Sequence, residues 1–227
     1  MALSLSPHEK IEDLQCGGLS IIVRDDGFHY GTDSVLLANY VKAGGGSEIV
    51  ELCSGLGAVS ILLSAKTRAA RITGIEIQTS LVETANRSVE LNRIGDRVNF
   101  IAGDICGIRD IMEAGSADVV VANPPYLRRG SGAESCDRGV AIARTELCCT
   151  ISDVAAAAGW LLGRGGTFYV VHRPERLVDL FCAMRGAGVE PKEIRFCGAS
   201  AGKPPPLVLV RGKKGASAGL RYMEQVF

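Results

Sequence analysis

From residue 48 onward, short apolar runs alternate with longer segments in which apolar residues recur every three or four positions. Short apolar runs between turn residues are typical of buried strands, and the periodic segments are typical of helices that cover a sheet. The pattern predicts strands at 48–52, 71–77, 98–102, 117–122 and 167–172. It predicts helices at 58–66, 80–93, near 108–113, at 145–162 and at 175–187.

The two ends of the chain carry different signals. Near the start, 19–23 is predicted to be a strand, 25–27 a turn and 28–30 the returning strand of a hairpin. A helix is expected to follow, with Thr32 or Asp33 as its N-cap and Gly44-Gly45-Gly46 after its end. Near the other end, 193–197 and 206–211 are predicted to form a hairpin across the Gly/Pro-rich stretch 198–205.

Alternating strands and helices indicate an α/β fold with a mostly parallel sheet and helices on both faces. Counting the C-terminal antiparallel hairpin, we predict seven strands. We expect one domain: residues 1–47 form a hairpin and helix that belong to it, 48–215 hold the sheet, and 216–227 form a tail. The polar, Gly/Ser/Arg-rich segment 127–143 is predicted to be a loop.

Composition narrows the class of protein. The 227 residues are 47% hydrophobic and 22% charged, as in an ordinary globular domain. No apolar run approaches the roughly 20 residues that span a membrane, and the N-terminus does not read as a signal peptide. Eight cysteines occur without a Cys-x-x-Cys pair or a nearby histidine, so we expect reduced thiols in a cytoplasmic protein and no metal site.

The net charge is zero, but the two signs are segregated. Residues 1–127 carry 10 Lys and Arg against 16 Asp and Glu, whereas residues 128–214 carry 14 against 8. A basic second half favours a polyanionic partner on one side of the molecule, and a chance distribution over a solvated surface is the equal alternative.

The segment Asn123-Pro124-Pro125-Tyr126 follows the predicted strand 117–122. Proline fixes its own φ and restricts the residue before it, so two prolines hold the backbone rigid at the end of the strand. The side-chain oxygen of Asn123 and the carbonyl of Pro124 can then accept both hydrogens of a planar –NH2 group, while Tyr126 stacks on the attached ring. An ordinary turn is the alternative reading.

Three earlier strands end in residues that suit an adenosine ligand. The first leads into Gly55 and Gly57, whose turn admits close approach of a ligand to the backbone. The second ends at Glu76, followed by Gln78, where an acid can accept from two ribose hydroxyls. The third leads into Asp104 and Ile105, where a carboxylate can accept from an adenine amine. Taken singly, Glu76 and Asp104 could instead be helix-capping acids.

Two ligands fit such strand ends, a nicotinamide dinucleotide and S-adenosylmethionine. A dinucleotide favours Gly-x-Gly-x-x-Gly, but Ser60 occupies the third glycine position. Glu51 just before the turn would repel a pyrophosphate and attract the sulfonium and ammonium groups of S-adenosylmethionine. The methyl donor is therefore favoured.

With these motifs, the chain resembles the Rossmann-like (class I) S-adenosylmethionine-dependent methyltransferases that carry an Asn-Pro-Pro-Tyr motif. It is similar in particular to the bacterial tRNA (adenine-N6)-methyltransferases that modify adenosine 37 of valine tRNA. The resemblance covers nearly the whole chain. It is carried by residues 30–37, 51–57 and 123–126, by Arg173-Pro174-Glu175-Arg176 and by Gly212-Lys213-Lys214-Gly215.

The resemblance implies roles for particular residues. Asn123, Pro124, Pro125 and Tyr126 would hold the target base, and S-adenosylmethionine would leave as S-adenosylhomocysteine. Residues 30–33 would fold over the cofactor as a lid, and Cys53 stands where many relatives have glycine. The implied cofactor-binding residues are Tyr30, Gly31, Thr32, Asp33, Glu51, Cys53, Gly55, Gly57, Glu76, Gln78, Asp104, Ile105 and Asn123.

The implied partner is tRNA. We expect no membrane partner and a monomeric protein. The cations that are candidates for phosphate contacts are Arg128, Arg129, Arg138, Arg144, Arg173, Lys203, Arg211, Lys213 and Lys214. Two alternatives keep the same motif: a protein glutamine N5-methyltransferase of release factors and a ribosomal RNA guanine N2-methyltransferase. A non-catalytic adenosine-binding module and a dinucleotide oxidoreductase have no use for the Asn-Pro-Pro-Tyr segment.

Overall fold

In the computed structural model, the described residues are 5–25, 29–126, 149–198, 200 and 202–226. No helix within these ranges is long and apolar enough to cross a membrane.

The chain starts with a small two-stranded sheet that stands apart from the central one. Its strands β1 (Glu9–Asp13) and β2 (Ser20–Arg24) run antiparallel, with Ile11 opposite Ile22. The predicted strand 19–23 is therefore present, but its partner precedes it. The predicted returning strand was wrong where it can be checked, because His29 and Tyr30 are not in a strand, while residues 26–28 lie outside the described ranges. Since β1 has no buried residue, no hydrophobic pattern could have revealed it.

The hairpin is attached to a helix of the main domain through side-chain hydrogen bonds. Within the described ranges the α-helices are α1 (Thr32–Tyr40), α2 (Ala58–Lys66), α3 (Thr79–Asn92), α4 (Ile108–Ile111), α5 (Ile151–Leu161) and α6 (Leu177–Gly186). The Asn92 side chain of α3 accepts from Ser20 N–H and donates to Ser20 O, and Ser88 Oγ accepts from Ile22 N–H. These bonds fix β2 across α3.

The central sheet is mostly parallel, as predicted, and contains eight strands in the described part of the chain. They are β3 (Glu48–Leu52), β4 (Arg71–Glu76), β5 (Val98–Ala102), β6 (Ala117–Ala122), β7 (Leu162–His172), β8 (Val189–Cys197), β9 (Leu207–Lys214) and β10 (Arg221–Tyr222). Their spatial order is β10-β8-β9-β7-β6-β3-β4-β5. Only β9 runs antiparallel to its neighbours, and this confirms the predicted C-terminal hairpin.

The eighth strand corrects the predicted count of seven. β10 has two residues and pairs parallel with β8, with Arg221 opposite Glu193. Farther on, Val226 bridges Cys197. The segment expected to be a tail therefore covers an edge of the sheet. Both residues of β10 are exposed, so the strand carries no apolar signal in the sequence.

Two other boundaries differ from the predicted ones for local reasons. The helix predicted to begin at 145 begins at Ile151, because Thr150 and Asp153 form a capping box in which each side chain accepts from the other residue's backbone. Residues 145–148 lie outside the described ranges. The strand predicted at 167–172 already begins at Leu162, with a register irregularity opposite Ala117 and Val119.

The core lies on both faces of the central sheet. Strands β3 and β6 are buried over most of their length, so their side chains alternate between two apolar clusters. Because β3, β4, β5 and β6 are parallel neighbours or near neighbours, their carboxyl ends meet at one edge. The residues that follow these strands are thereby brought together.

Candidate active site

Two adjoining cavities lie at the carboxyl edge of the sheet. The larger spans about 560 Å³ and the smaller about 280 Å³, counting the space open to solvent, and both are lined by Cys53, Gly55 and Asn123. The larger is also lined by Ile75, Glu76, Ile77, Gln78, Leu81, Gly103, Asp104, Ile105, Pro125 and Cys149. The smaller is also lined by Tyr30, Ser34, Glu51, Ser54, Leu56, Ala58 and Val59. Residues predicted from four separate strand ends therefore share one continuous site.

The turn after β3 is built from residues with positive φ. Gly55 and Gly57 have φ of 54° and 81°, and Cys53 has φ of 56°. A left-handed conformation is costly for a residue with a Cβ, so glycine would fit the Cys53 position with less strain. Gly57 also has no room for a side chain, because a Cβ there would lie 2.2 Å from Cζ of Phe100. The Phe100 ring therefore packs directly against the backbone of the turn.

Glu51 is a buried carboxyl at the inner end of the smaller cavity. It is 1% exposed and accepts from Ser60 N–H at 3.0 Å and from Ser60 Oγ at 2.5 Å, both on Oε2. Burial raises the pKa of Glu51 to about 8, partly opposed by the two Ser60 hydrogen bonds. Ser60, which occupies the third glycine position of the dinucleotide motif, therefore holds this carboxyl.

Glu76 connects the second strand end to the glycine turn. Its Oε2 accepts from Gly55 N–H at 2.9 Å and its Oε1 accepts from Gln78 N–H at 3.0 Å. Burial raises the pKa of Glu76, while these backbone donors lower it. The carboxylate is held by two backbone groups and lines the larger cavity, where a ligand with vicinal hydroxyls could bind it.

Asp104 lies at the outer rim of the larger cavity, next to buried Ile105. Its Oδ1 accepts from Cys106 N–H at 2.9 Å and caps the 3-10 turn Ile105–Gly107. The capping role and the ligand role, which the sequence left as alternatives, are thus compatible, because the cap uses one carboxylate oxygen. Leu81 and Ile77 supply apolar walls that suit a flat ring.

The Asn-Pro-Pro-Tyr corner follows β6 and is tied to the first turn of α1. Asn123 Nδ2 donates to Ser34 Oγ at 3.1 Å, which fixes the orientation of the amide. The Tyr126 hydroxyl contacts Asn123 Oδ1 and also lies 2.8 Å from Asp33 Oδ2. Two consecutive residues of α1 thus reach two residues of the corner.

The Tyr126 ring packs among groups at the end of β7 and just after it. The His172 ring meets it edge-on at 5.3 Å between centroids, and the Arg173 guanidinium lies 5.4 Å from the ring centroid. Arg176 donates to the Tyr126 carbonyl at 3.4 Å. A stacking base would therefore share the ring with Arg173 or use its other face.

The N-terminal segment predicted as a lid lies beside the smaller cavity. Tyr30 lines it, and Asp33 faces Tyr126. The predicted N-cap was wrong: α1 begins at Thr32, and the cap position is Gly31, without a side-chain capping bond. Asp33 sits inside the first turn, where its Oδ1 accepts from Ser34 N–H at 2.8 Å.

The predicted RNA-binding cations are divided between the carboxyl edge of the sheet, where the parallel strands end and the site lies, and the opposite edge, where these strands begin. Arg173 lies at the site edge, and Lys203 is exposed in the β8–β9 connection at the same edge. Lys213 and Lys214 lie at the opposite edge, because β9 runs antiparallel. Lys214 Nζ donates to Gly159 O and Leu162 O. Arg211 is bound to Glu193 at 2.7 Å. The structure does not bring these last three to the site, and Arg128, Arg129, Arg138 and Arg144 lie outside the described residues.

Several lining residues were not identified from the sequence. Ser34 lay within the segment 30–37 but was not singled out, and Cys149 is distant along the chain from the motifs. His172, which lines neither cavity but contacts Tyr126, carried no motif. Ser54 lay within the glycine-rich segment but was not singled out. The one available signal for His172 was its position at the end of a buried strand, the place where the other site residues occur.

The site offers what an S-adenosyl ligand needs. Ser54 Oγ in the smaller cavity is buried and has no hydrogen-bond partner, so a polar ligand group there would satisfy it. Glu51 and Glu76 are buried carboxyls, the first lining the smaller cavity and the second the larger. In the described part of the chain, no group of three or more His, Cys, Asp or Glu side chains could hold a metal ion.

Comparison with known sequences gives one family. The profile of the methyltransferase small domain matches residues 25–176. A tRNA1(Val) (adenine(37)-N6)-methyltransferase of Porphyromonas gingivalis is 28% identical over 156 residues, which cover 66% of this chain and 60% of that protein. An enzyme of the same name from Phocaeicola vulgatus is 27% identical over 183 residues, which cover 81% of this chain and 76% of that protein.

Comparison with solved structures supports the fold. A predicted O-methyltransferase of Agrobacterium tumefaciens superposes with a TM-score of 0.70 at 22% identity, covering 86% of each chain. Geranyl diphosphate C-methyltransferase of Streptomyces coelicolor, solved with S-adenosyl-L-homocysteine, has a TM-score of 0.60 at 12% identity, with 81% and 78% of the chains covered. The matched profile, the parallel sheet and the cavities at its carboxyl edge agree, and the chain belongs to the methyltransferase small domain family of S-adenosylmethionine-dependent methyltransferases.

Proposed function

We propose that this chain methylates the exocyclic N6 of an adenine in tRNA, with position 37 of valine tRNA as the target. The observation that carries the proposal is the place of Asn123, whose side chain lines both cavities at the rigid corner after β6. A planar amine held by this side chain would lie beside the cofactor cavity. The names of the relatives supply the RNA and the nucleotide.

We assign the joined cavities to S-adenosylmethionine. Glu76 would bind the ribose, and Asp104 and Ile105 the adenine, with Ile77 and Gln78 beside them in the larger cavity. The smaller cavity would take the methionine part, against Glu51 and Ser54. When bound, the cofactor supplies an electrophilic methyl group on a sulfonium. We also propose that residues 30–33 fold over the cofactor as a lid and that the protein is a monomer.

Asn123 and the Pro124 carbonyl would accept the two N6 hydrogens of the target adenine. These bonds draw the nitrogen lone pair out of conjugation with the ring and direct it towards the cofactor cavity. Fixing the nucleophile about 3 Å from the methyl group contributes several kcal/mol to the rate, because the entropy of alignment is lost on binding. As N6 forms its bond to the methyl carbon, the bond from that carbon to sulfur would break and leave a neutral thioether. N6 would then carry the positive charge and become acidic, and Asn123 Oδ1 can pass its proton to water.

The adenine must leave its stack to reach this corner. The cost is a few kcal/mol and is smaller in an anticodon loop than in a duplex. Stacking on Tyr126 returns about 1–3 kcal/mol. Arg173 and Lys203, at the same edge, would contact the phosphates, so binding should weaken steeply as salt is raised.

The decisive experiment offers the purified chain a labelled methyl donor with three acceptors: total tRNA, ribosomal RNA and release factor. We expect label in tRNA, and in a valine tRNA transcript with A37 but not in one with G37. Label in release factor would favour the glutamine N5 alternative, and label at guanine in ribosomal RNA would favour the N2 alternative. Absence of transfer to all three would refute the proposal.

Asn123→Ala tests the amine-binding role within the same assay. We expect turnover to be lost while the affinity for S-adenosylhomocysteine, measured by calorimetry, changes little. Asn39→Ala is the matched control, since Asn39 is exposed on α1. A fully active Asn123→Ala enzyme would contradict the assignment of this side chain.

A further inference from the structure

The Tyr126 hydroxyl has one proton and two acceptors within reach. Asp33 Oδ2 lies 2.8 Å from it, and Asn123 Oδ1 is also in contact. A phenol can donate to only one of them at a time. The nitrogen end of the Asn123 amide is already hydrogen-bonded, because Nδ2 donates to Ser34 Oγ. The direction in which Tyr126 donates therefore decides whether Asn123 Oδ1 is satisfied or free to accept from another donor.

The two choices have different consequences for an incoming amine. If Tyr126 donates to Asn123, the amide oxygen is occupied and an amine must displace the hydroxyl. If Tyr126 donates to Asp33, the bond is charge-assisted and stronger than a neutral one. The phenol then presents only lone pairs to Asn123 Oδ1, which is left without a donor. Asn123 is half-buried, and an acceptor without a donor at such a position is unfavourable until an N–H group arrives.

We propose that Asp33 is a positioning residue that holds the Tyr126 hydroxyl proton and thereby keeps Asn123 Oδ1 available for the target amine. This inference rests on the proposed function of Asn123 as an amine acceptor. It gives Asp33 a role that is separate from the cofactor lid predicted from the sequence.

The position of Asp33 supports this role. It lies in the first turn of α1, directly before Ser34, so one short segment determines both the proton of Tyr126 and the orientation of the Asn123 amide. Asp33 Oδ1 is held by Ser34 N–H, which fixes the carboxylate and leaves Oδ2 directed to Tyr126. The bonds from α1 to the corner span 89 and 93 residues of sequence, so they exist only in the folded chain.

The test is a double-mutant cycle on the full chain. Asp33→Ala should lower kcat/KM for tRNA by about tenfold or more, since the free hydroxyl then competes for Asn123 Oδ1. The affinity for S-adenosylhomocysteine should stay within about twofold. In the Tyr126→Phe background, which keeps the ring but removes the hydroxyl, Asp33→Ala should change kcat/KM by less than about twofold.

Two results of the cycle would overturn the inference. One is an equal loss from Asp33→Ala in both backgrounds, because Asp33 would then act without the hydroxyl. The other is a large fall in cofactor affinity on Asp33→Ala, which would return Asp33 to a direct cofactor role. Asp33→Asn should recover part of the activity, because its side-chain oxygen still accepts from a hydroxyl.

A second readout does not depend on turnover. Burial, with the adjacent Asp33, raises the pKa of Tyr126 well above its ordinary value. Titration of tyrosine labelled at Cζ, with the signal assigned by its loss in Tyr126→Phe, should show a lower Tyr126 pKa in Asp33→Asn. An unchanged pKa would refute the contact even if no RNA is methylated, whereas a wild-type enzyme inactive on all acceptors would refute only the proposed function.

Discussion

Replacing Glu51 by glutamine tests how the site trades stability for binding. The carboxyl is 1% exposed at the end of β3, and burial raises its pKa to about 8 against the opposing hydrogen bonds from Ser60. In the unfolded chain the same group titrates near its ordinary pKa of 4.5. At neutral pH, folding must therefore protonate a group that would otherwise be ionised.

The size of the effect follows from linkage. Because the folded pKa is raised, the contribution of Glu51 to stability is fully present below pH 4.5 and is lost as pH rises towards 8. One pKa unit corresponds to 1.36 kcal/mol, so the loss reaches about 3 kcal/mol at pH 7. Glutamine does not titrate and so removes this pH dependence. Removing the cost of protonating Glu51 stabilises the variant at pH 7. The glutamine side chain has an NH2 group without an evident acceptor, which reduces this stabilisation by about 1–2 kcal/mol.

The assay is urea unfolding of wild type and Glu51→Gln between pH 4.5 and 8. The stability of the variant relative to wild type should rise by about 3 kcal/mol from pH 4.5 to pH 7, whatever their offset at one pH. Glu83→Gln, at an exposed position of α3, is the control and should follow wild type. Parallel pH profiles for wild type and Glu51→Gln would refute the reasoning.

The same variant should bind the methyl donor poorly. A cationic ligand beside Glu51 favours its ionised form, so binding at pH 7 should release close to one proton per chain. Calorimetry in two buffers of different ionisation enthalpy measures this number. Glu51→Gln should abolish the release, and an equal release from the variant would place the titrating group elsewhere.

Three further predictions concern stability. Gly74→Ala should cost about 1–3 kcal/mol in urea unfolding, since its Cβ would lie 2.2 Å from the Phe100 ring; no loss, or no recovery with Phe100→Leu, would contradict this. Arg97→Met should cost about 2 kcal/mol, because Arg97 donates to three backbone carbonyls after and within α2; an unchanged urea midpoint would refute this role. Burial lowers the pKa of His172 to about 4, so wild type relative to His172→Gln should lose about 3 kcal/mol as pH falls from 6.5 to 4, and parallel profiles would rule this out.

The elements that the sequence predicted well bury side chains and lie between turn residues. β3, β5 and β6 were predicted with the bounds they have, although β3 and β6 are buried over most of their length and β5 at alternate positions. β1 and β10 were missed because neither buries a side chain, so they are stabilised by backbone pairing that leaves no pattern. Each of them depends on the strand with which it pairs, β1 on β2 and β10 on β8.

The site residues divide in the same way. Gly55, Glu76, Asp104 and Asn123 lie at or just after strand ends, and parallel strands bring their carboxyl ends to one edge. Chain position alone therefore placed them together. His172 is also the last residue of a strand, but a single histidine has no distinctive spacing, and its contact with Tyr126 is visible only in three dimensions.

What the amino-acid sequence determined by itself is the parallel α/β order, the glycine turn and the rigid proline corner, since each depends on local periodicity or on fixed φ angles. The tertiary structure decided which side chains meet. It placed Asp33 and Ser34 against a corner about 90 residues away, and it turned Lys213 and Lys214 away from the site. The physical reason is that strand direction and helix docking are set by the packing of the whole core, which no single segment encodes.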